Sequence, residues 1–152
     1  MPVEMQTFFL AMTPLGELRA AIPVALSVWK MHPLAAWFWS VLGNMAPAIV
    51  LLLILEPLFK FCGRHFVFVK KFLDWWFVGV RGRFEKDYQR WGKLALMIFV
   101  AIPLPMTGAW SGAVAAYLFG IPKKQASLFI LFGVMIAGVI VTIATMGVSV
   151  LF

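Results

Sequence analysis

The sequence predicts an all-α integral membrane protein with two inverted repeats, each a re-entrant helical hairpin followed by a transmembrane helix, joined by an amphipathic interfacial helix. The composition is the first observation: the 152 residues are 63% apolar and 12% charged, whereas soluble proteins average about 45–50% apolar and about 25% charged. Two apolar segments, 33–55 and 126–152, contain no charged side chain, and each can cross a hydrocarbon core of about 30 Å as a helix. Two further apolar segments are interrupted by proline and glycine.

The first interrupted segment covers about residues 5–29 and is broken after Thr13. Thr13 followed by Pro14 has the form of an N-cap with proline at the first helical position. Pro23 has no N–H, so in a helix the carbonyl of Arg19 loses its intrahelical donor. These residues predict a hairpin that returns from its tip by a helix whose N-terminal amides point toward mid-membrane.

The second interrupted segment covers residues 94–121 and is broken by Pro103 and Pro105. Thr107 is predicted to cap the returning helix as Thr13 does in the first segment. Gly108 has no side chain and allows backbone or ligand to approach closely.

The two interrupted segments are related by an internal repeat. A shift of 89 residues without gaps superposes Pro14 on Pro103 and Pro33 on Pro122, so that breaks and loops stay in register. We therefore expect an internal duplication within a single membrane domain, residues 1–152. Its parts are repeat one (5–55), a basic link (56–93) and repeat two (94–152).

The link carries nine of the thirteen Lys and Arg residues, between Lys60 and Lys93. Its polar positions recur near a helical period with Phe and Trp between them, which predicts a helix in the headgroup layer. Gly79 and Gly82 weaken that helix, and 83–91 is expected to form a second, more exposed one. A binding role for these charges is an alternative to topology and interfacial anchoring.

The charge distribution decides how the interrupted segments sit in the membrane. If each returns to its own side, eleven Lys and Arg share one face against Lys30 on the other; if both cross, the counts are nine and three. Because orientation follows the Lys and Arg bias of short loops, the re-entrant arrangement is favoured. It predicts a cytoplasmic link, termini on the other side and inverted halves. We expect a multi-pass protein of the bacterial inner membrane.

Glu17 and Arg19 are the only ionisable residues in any segment predicted at membrane depth, where a charge costs roughly 2.5–3.5 kcal/mol. Positions two apart do not face each other on a helix, so each side chain needs another partner: a carbonyl, water, substrate or the second hairpin. Two helix N-termini and Arg19 would suit an anion, and Glu17 could carry a proton. Alternatively, proline and glycine only turn the hairpins and Arg19 neutralises Glu17. The candidate site residues are Glu17, Arg19, Thr13, Pro14, Pro23, Pro103, Pro105, Thr107, Gly108 and Ser111.

Other features of the sequence point to packing or to no site at all. Asn44 is interpreted as a packing polar group, the alternative being a hydrogen bond across to a hairpin. No metal-ligand cluster, nucleophile–base pair or nucleotide-binding motif occurs in the sequence, so we expect no enzyme activity, cofactor or metal. The net charge of +7 is attributed to topology, not to nucleic acid. The expected partners are membrane lipids, including a phosphate-bearing lipid substrate, and further copies of the chain in a homodimer or larger oligomer.

Two segments in order, 15–23 (LGELRAAIP) and 103–110 (PLPMTGAW), resemble the small multi-drug export protein family, which is distantly similar to the DedA, or VTT-domain, membrane proteins. The resemblance implies inverted re-entrant hairpins, each followed by a transmembrane helix. In DedA-like proteins an acidic residue and arginines near the hairpins are associated with proton-dependent flipping of phosphate-bearing lipids such as undecaprenyl phosphate. Glu17 and Arg19 match the first hairpin of that pattern, whereas the second carries Thr107 where an arginine would stand.

The function predicted from these features is a transporter or lipid flippase, coupled to protons through Glu17, with a mid-membrane site for an anionic or amphiphilic substrate. The alternative is a non-transporting membrane assembly or stress-related subunit that acts through helix–helix contacts. A membrane enzyme ranks third, because two ionisable groups provide too little chemical machinery.

Overall fold

A computed structural model describes residues 1–104 and 107–152, apart from the side chains of Cys62 and Gly63. Within these ranges the chain forms seven helices and no strand, which confirms the all-α prediction. The helices are α1 (Val3–Met12), α2 (Glu17–Ser27), α3 (Pro33–His65), α4 (Val67–Trp91), α5 (Leu94–Ala101), α6 (Ala109–Leu118) and α7 (Lys123–Leu151). Two of them, α3 over Pro33–Phe61 and α7, are long and apolar enough to cross a membrane.

The order of helix lengths repeats along the chain. Two short helices and one long helix, α1 to α3, precede α4, and two short helices and one long helix, α5 to α7, follow it. The short helices of each set are separated at residues 13–16 and 102–108, where the prolines predicted the two breaks.

The two sets of three helices make equivalent contacts: within the six helices, each packing contact of α1, α2 or α3 has a counterpart made by α5, α6 or α7. The first short helix packs on the long helix of its own set, α1 on α3 and α5 on α7. The second short helix, α2 or α6, touches both long helices, and α3 also packs on α7. Each half therefore contributes to the same core.

Close packing of the first short helix on its long helix depends on a glycine in each half. A Cβ at Gly43 would overlap the carbonyl oxygen of Phe8, and one at Gly133 would lie 2.8 Å from the carbonyl oxygen of Met97 and 2.7 Å from Cβ of Val100. Because the backbones leave no space for a side chain, α1 and α5 can lie directly against α3 and α7.

Helix α3 continues ten residues beyond Leu55, the predicted end of the first spanning segment. Its last turns contain an ion pair between Glu56 and Lys60, four residues apart with Nζ and Oε1 separated by 3.1 Å, a spacing that stabilises a helix. The helix ends at His65 because Phe66 is extended, with φ −133° and ψ 93°. The first part of the basic link is therefore the end of α3.

The remainder of the link is one helix, so the prediction of a second helix at 83–91 is wrong. Helix α4 runs through Gly79 and Gly82 without interruption, although an interior glycine costs roughly 0.5–1 kcal/mol relative to alanine. A buried stripe at helical spacing, Leu73, Phe77, Val80 and Phe84, fixes it against α3, α5 and α6. Burying these side chains outweighs the glycine cost, because each is worth about 1.5–3 kcal/mol.

Candidate functional site

Glu17 is the first residue of α2 and is held in an unusual conformation. Its N–H donates to the carbonyl of Thr13 across 3.1 Å, and its φ is 50°, a left-handed value that costs a residue with a Cβ about 1–2 kcal/mol. The side chain is 6% exposed. The turn at residues 13–16 thus directs a carboxylate into the protein rather than outward.

The Glu17 carboxylate lies at the N-terminus of α6, in the opposite half of the chain. Its Oε1 accepts a hydrogen bond from the backbone N–H of Trp110 at 3.4 Å, and the Ala109 N–H and the Asn44 side-chain amide also act as donors to it. Unpaired amides at a helix N-terminus favour negative charge. The place predicted for an anionic substrate at this helix end is therefore taken by Glu17 itself.

Gly108 makes this contact possible. A Cβ at Gly108 would overlap Oε2 of Glu17 and lie 2.8 Å from its Cδ. The backbone, with φ 123° and ψ −169°, is in a region occupied essentially by glycine alone. Gly108 was predicted to allow a close approach, and the group that approaches is the Glu17 carboxylate.

Arg19 also binds the opposite half, at a different place. Its Nη2 donates to the carbonyl and the hydroxyl oxygen of Thr107, both at 2.8 Å, and its Nη1 donates to the carbonyl of Leu104. Arg19 acts on Glu17 electrostatically, but its guanidinium is directed at the 102–107 loop. The prediction that each charge finds its own partner is confirmed, and both partners belong to the second interrupted segment.

Thr107 organises its loop and does not cap α6, so that prediction is wrong. Its hydroxyl lies 2.7 Å from the carbonyl of Ile102 and 2.6 Å from that of Leu104, and it accepts the Leu104 N–H at 3.2 Å. The N-cap of α6 is Gly108, without a side-chain bond. Because the hydroxyl is committed to the loop and to Arg19, it cannot serve the α6 amides.

Thr13 does not cap α2 either. It is the C-cap of α1, and its hydroxyl donates to the carbonyl of Leu10 at 2.8 Å. Pro14 therefore stands in the turn before α2, whose N-cap is Gly16. The prediction failed because the turn is three residues longer than a Thr-Pro helix start requires.

A cavity of about 510 Å³ lies between the two interrupted segments and α4. The first segment contributes Glu17, Arg19 and residues 14–16, and the second contributes Thr107, Trp110 and Ser111. The remaining wall consists of three aromatic residues of α4, namely Phe72, Trp75 and Trp76. Most of the lining is apolar, with the polar groups gathered near the two breaks, as is usual for sites that bind small molecules.

Five of the ten predicted site residues line the cavity, namely Pro14, Glu17, Arg19, Thr107 and Ser111. Gly108 contacts Glu17, and Thr13 is not among the lining residues. Pro23 lies inside α2 and is not among the residues that line the cavity. Pro103 belongs to the loop between α5 and α6, and Pro105 falls outside the described residues. No group of three or more His, Cys, Asp or Glu in the described ranges is placed to hold a metal ion.

Two features of the site were not predicted from the sequence: the aromatic residues of α4 and the side chain of Asn44. The aromatic residues of α4 were assigned to the headgroup layer, because their alternation with basic residues is the same whether they face lipid or a cavity. Asn44, 1% exposed, was treated as a packing residue. Its position between Gly43 and Pro47 in an apolar helix was the available signal.

Comparison with known proteins agrees with the resemblance to the small multi-drug export protein family and shows no relationship to DedA-like proteins. The family model described as "Putative small multi-drug export protein" matches residues 17–140, a range that includes Glu17, Arg19 and the whole second interrupted segment. No curated protein and no solved structure shows significant similarity to the chain. The family and the two apolar helices mark the chain as a membrane protein, and the description of the family points to export or transport. It belongs to the small multi-drug export protein family.

Proposed function

We propose that the protein is a secondary transporter or flippase of the bacterial inner membrane that moves an anionic amphiphile through the cavity between the two interrupted segments. The observation that carries the proposal is the meeting of one half-buried guanidinium and an aromatic wall in a cavity of about 510 Å³. A charged head and an apolar body match these two parts of the lining.

Arg19 is the group that selects the charge of the substrate. A guanidinium has five N–H donors, and among the described residues the contacts to Leu104 and Thr107 occupy three of them. The other two suit a phosphate or carboxylate head. Glu17 does not compete for this role, because its carboxylate is buried and turned toward the α6 amides.

The aromatic residues of α4 suit the apolar body of the substrate. Trp75 is 66% exposed and stands with Phe72 and Trp76 opposite the two breaks. Such rings offer large apolar area while their edges tolerate a polar surrounding. An amphiphile could therefore enter sideways along α4 with its head toward Arg19.

Glu17 is proposed to couple movement to protons. As a carboxylate it accepts hydrogen bonds from α6 and so ties the first interrupted segment to the second. A protonated carboxyl interacts less well with the positive end of a helix. Uptake of a proton would loosen the contact between the segments, and its release would restore it.

The re-entrant, inverted arrangement of the two halves and a cytoplasmic α4 are part of this proposal. They are supported by the matching helix orders, by the exchangeable contacts of the two halves and by the positive charge of the link. A homodimer or larger assembly is also proposed, since α3 and α7 alone provide two spanning helices. Crosslinking in native membranes tests it, and a strictly monomeric active species would contradict it.

Binding is tested by the fluorescence of the purified protein, because three of its seven tryptophans, Trp75, Trp76 and Trp110, line the cavity. Dodecyl phosphate should quench or shift this emission saturably, and the Arg19→Gln variant should bind it at least tenfold more weakly. Dodecyltrimethylammonium, with the same tail and a positive head, is the matched probe. Preferential binding of the cation would contradict the proposed substrate class.

Transport is tested in proteoliposomes with a fluorescent anionic phospholipid and an impermeant quencher. The protein should speed exchange between leaflets in a manner that depends on a pH gradient, and the Glu17→Gln variant should lose that dependence. Unchanged pH-dependent flux in the variant would remove the coupling role of Glu17. If the wild-type protein moves nothing, a non-transporting membrane subunit becomes the better explanation.

A further inference from the structure

Two buried oxygen atoms on α3 have no hydrogen-bond partner among the described residues: Oγ of Ser40 and Oδ1 of Asn44. The residues are 0% and 1% exposed, and a spacing of four places them on one face of the helix. Buried polar atoms almost always have a partner, so an orphaned pair calls for an explanation such as a bound ion or water.

The orientation of Asn44 makes its free oxygen significant. The side-chain amide acts as a hydrogen-bond donor to the Glu17 carboxylate, and a flipped amide would instead place oxygen against oxygen. The Oδ1 atom is an acceptor only and is therefore turned away from Glu17. It requires a donor or a cation.

Backbone oxygen atoms are available on the same stretch of α3 and on α2. Pro47 has no N–H, so the carbonyl of Gly43 lacks its intrahelical donor, and Pro23 leaves the carbonyl of Arg19 in the same state. Helix α2 packs on α3, and the short connection between them makes the two helices antiparallel. Because Glu17 lies beside Asn44, the next turn of α2, which follows Arg19, lies at the level of Ser40, one turn before Asn44. A carbonyl without its intrahelical donor is free to accept a cation, as the unwound carbonyls of broken transporter helices do.

The charge beside these oxygens favours a cation over a neutral molecule. Glu17 is 6% exposed and next to Asn44, while the guanidinium of Arg19 is bound to Leu104 and Thr107. Arg19 acts on this carboxylate electrostatically without forming an ion pair with it, and the Glu17 charge lowers the cost of placing a positive charge beside Asn44. Because Arg19 already offsets Glu17, a monovalent cation leaves a smaller excess of charge in the site than a divalent one.

We propose that Ser40 and Asn44, with neighbouring backbone carbonyls and the charge of Glu17, form a binding site for a monovalent cation of the size of Na⁺. In the part that rests on the proposed function, the cation enters with the substrate. The charges of Glu17 and Arg19 sum to zero, so a bound cation gives the site a net positive charge. The anionic head of the substrate then restores neutrality.

The experiment measures the thermal unfolding of purified protein at fixed pH and ionic strength, with choline chloride replaced stepwise by sodium chloride. The wild-type Tm should rise with the logarithm of the Na⁺ concentration once the site begins to fill, as for any ligand of the native state. Ser40→Ala and Asn44→Leu should lose most of this rise. Thr7→Val is the matched control, because its hydroxyl is equally buried but already donates to the Val3 carbonyl at 2.7 Å.

Equal Tm values in sodium and choline would overturn the cation site and leave a buried water as the partner of the two oxygens. An Na⁺-dependent rise of the wild-type size in Ser40→Ala, the gentler variant, would overturn it as well. Dodecyl phosphate titrations separate the two proposals. An Na⁺ effect without amphiphile binding removes the proposed substrate but keeps the cation site, whereas binding without any Na⁺ effect removes the cation site alone.

Discussion

Gly108→Ala tests how closely the two interrupted segments are joined. The new methyl group would overlap Oε2 of Glu17 and lie 2.9 Å from Oε1, so the carboxylate must leave the α6 amides. Hydrogen bonds to charged groups are worth about 1.5–3 kcal/mol each, and alanine in this backbone region costs about 1–3 kcal/mol more. The expected loss of stability is about 3 kcal/mol or more.

Thermal unfolding of the purified variant measures this loss, and Gly120→Ala is the matched control. Gly120 also has positive φ, 66°, but nothing lies within 4 Å of its added Cβ, so alanine there suffers only the backbone cost of about 1–2 kcal/mol. Gly108→Ala should lower the Tm clearly more. If the first variant does not accumulate, adding Glu17→Ala should restore folding by removing the clash. Equal Tm losses at Gly108 and Gly120 would refute the close contact with Glu17.

Four further substitutions have defined outcomes. Arg19→Lys should lower the Tm and weaken dodecyl phosphate binding, because one ammonium cannot reach both carbonyls that the guanidinium binds; an unchanged Tm would contradict this. Trp75→Ala should weaken amphiphile binding with little change in Tm, as the side chain is 66% exposed, and equal affinity would exclude it from the site. Gly43→Ala should destabilise by forcing α1 off α3, whereas Gly82→Ala, with nothing within 4 Å, should stabilise by roughly 0.5–1 kcal/mol; unfolding curves compare the pair.

The sequence predicted those parts of the fold that depend on local chemistry. Proline marks both breaks, because it removes a backbone donor wherever it stands, and uninterrupted apolar runs mark α3 and α7. The end of α3 was placed too early because hydropathy falls at Glu56 while the helical hydrogen bonds continue to His65. Gly79 and Gly82 led to the wrong prediction of a break in the link helix, because burial of the apolar stripe of α4 outweighs their weak helix propensity.

The candidate site was predictable as a set of residues but not as an arrangement. Glu17 and Arg19 stand out because charges are rare in such a sequence, and their separate partners follow from helix geometry. That Glu17 would occupy the α6 N-terminus depends on contact between residues 93 positions apart, which no local pattern encodes. The cap role of Thr107 failed for the same reason, because Arg19 reaches Thr107 only once the halves are packed together. Thr13 failed for a local reason, because it ends α1 and the turn before α2 is longer than predicted.

Crosslinking in native membranes tests most directly whether the two interrupted segments meet at one cavity. In a Cys62→Ser background, Leu15→Cys with Leu104→Cys places thiols on exposed residues of the two segments, and a short bismaleimide should join them efficiently. Val28→Cys with Leu104→Cys is the control. Val28 directly follows α2 and is far from Arg19, since each helical residue between them adds about 1.5 Å along the axis. Rapid crosslinking of the first pair alone is the predicted result. Equal crosslinking of both pairs, or none of the first, would contradict the account.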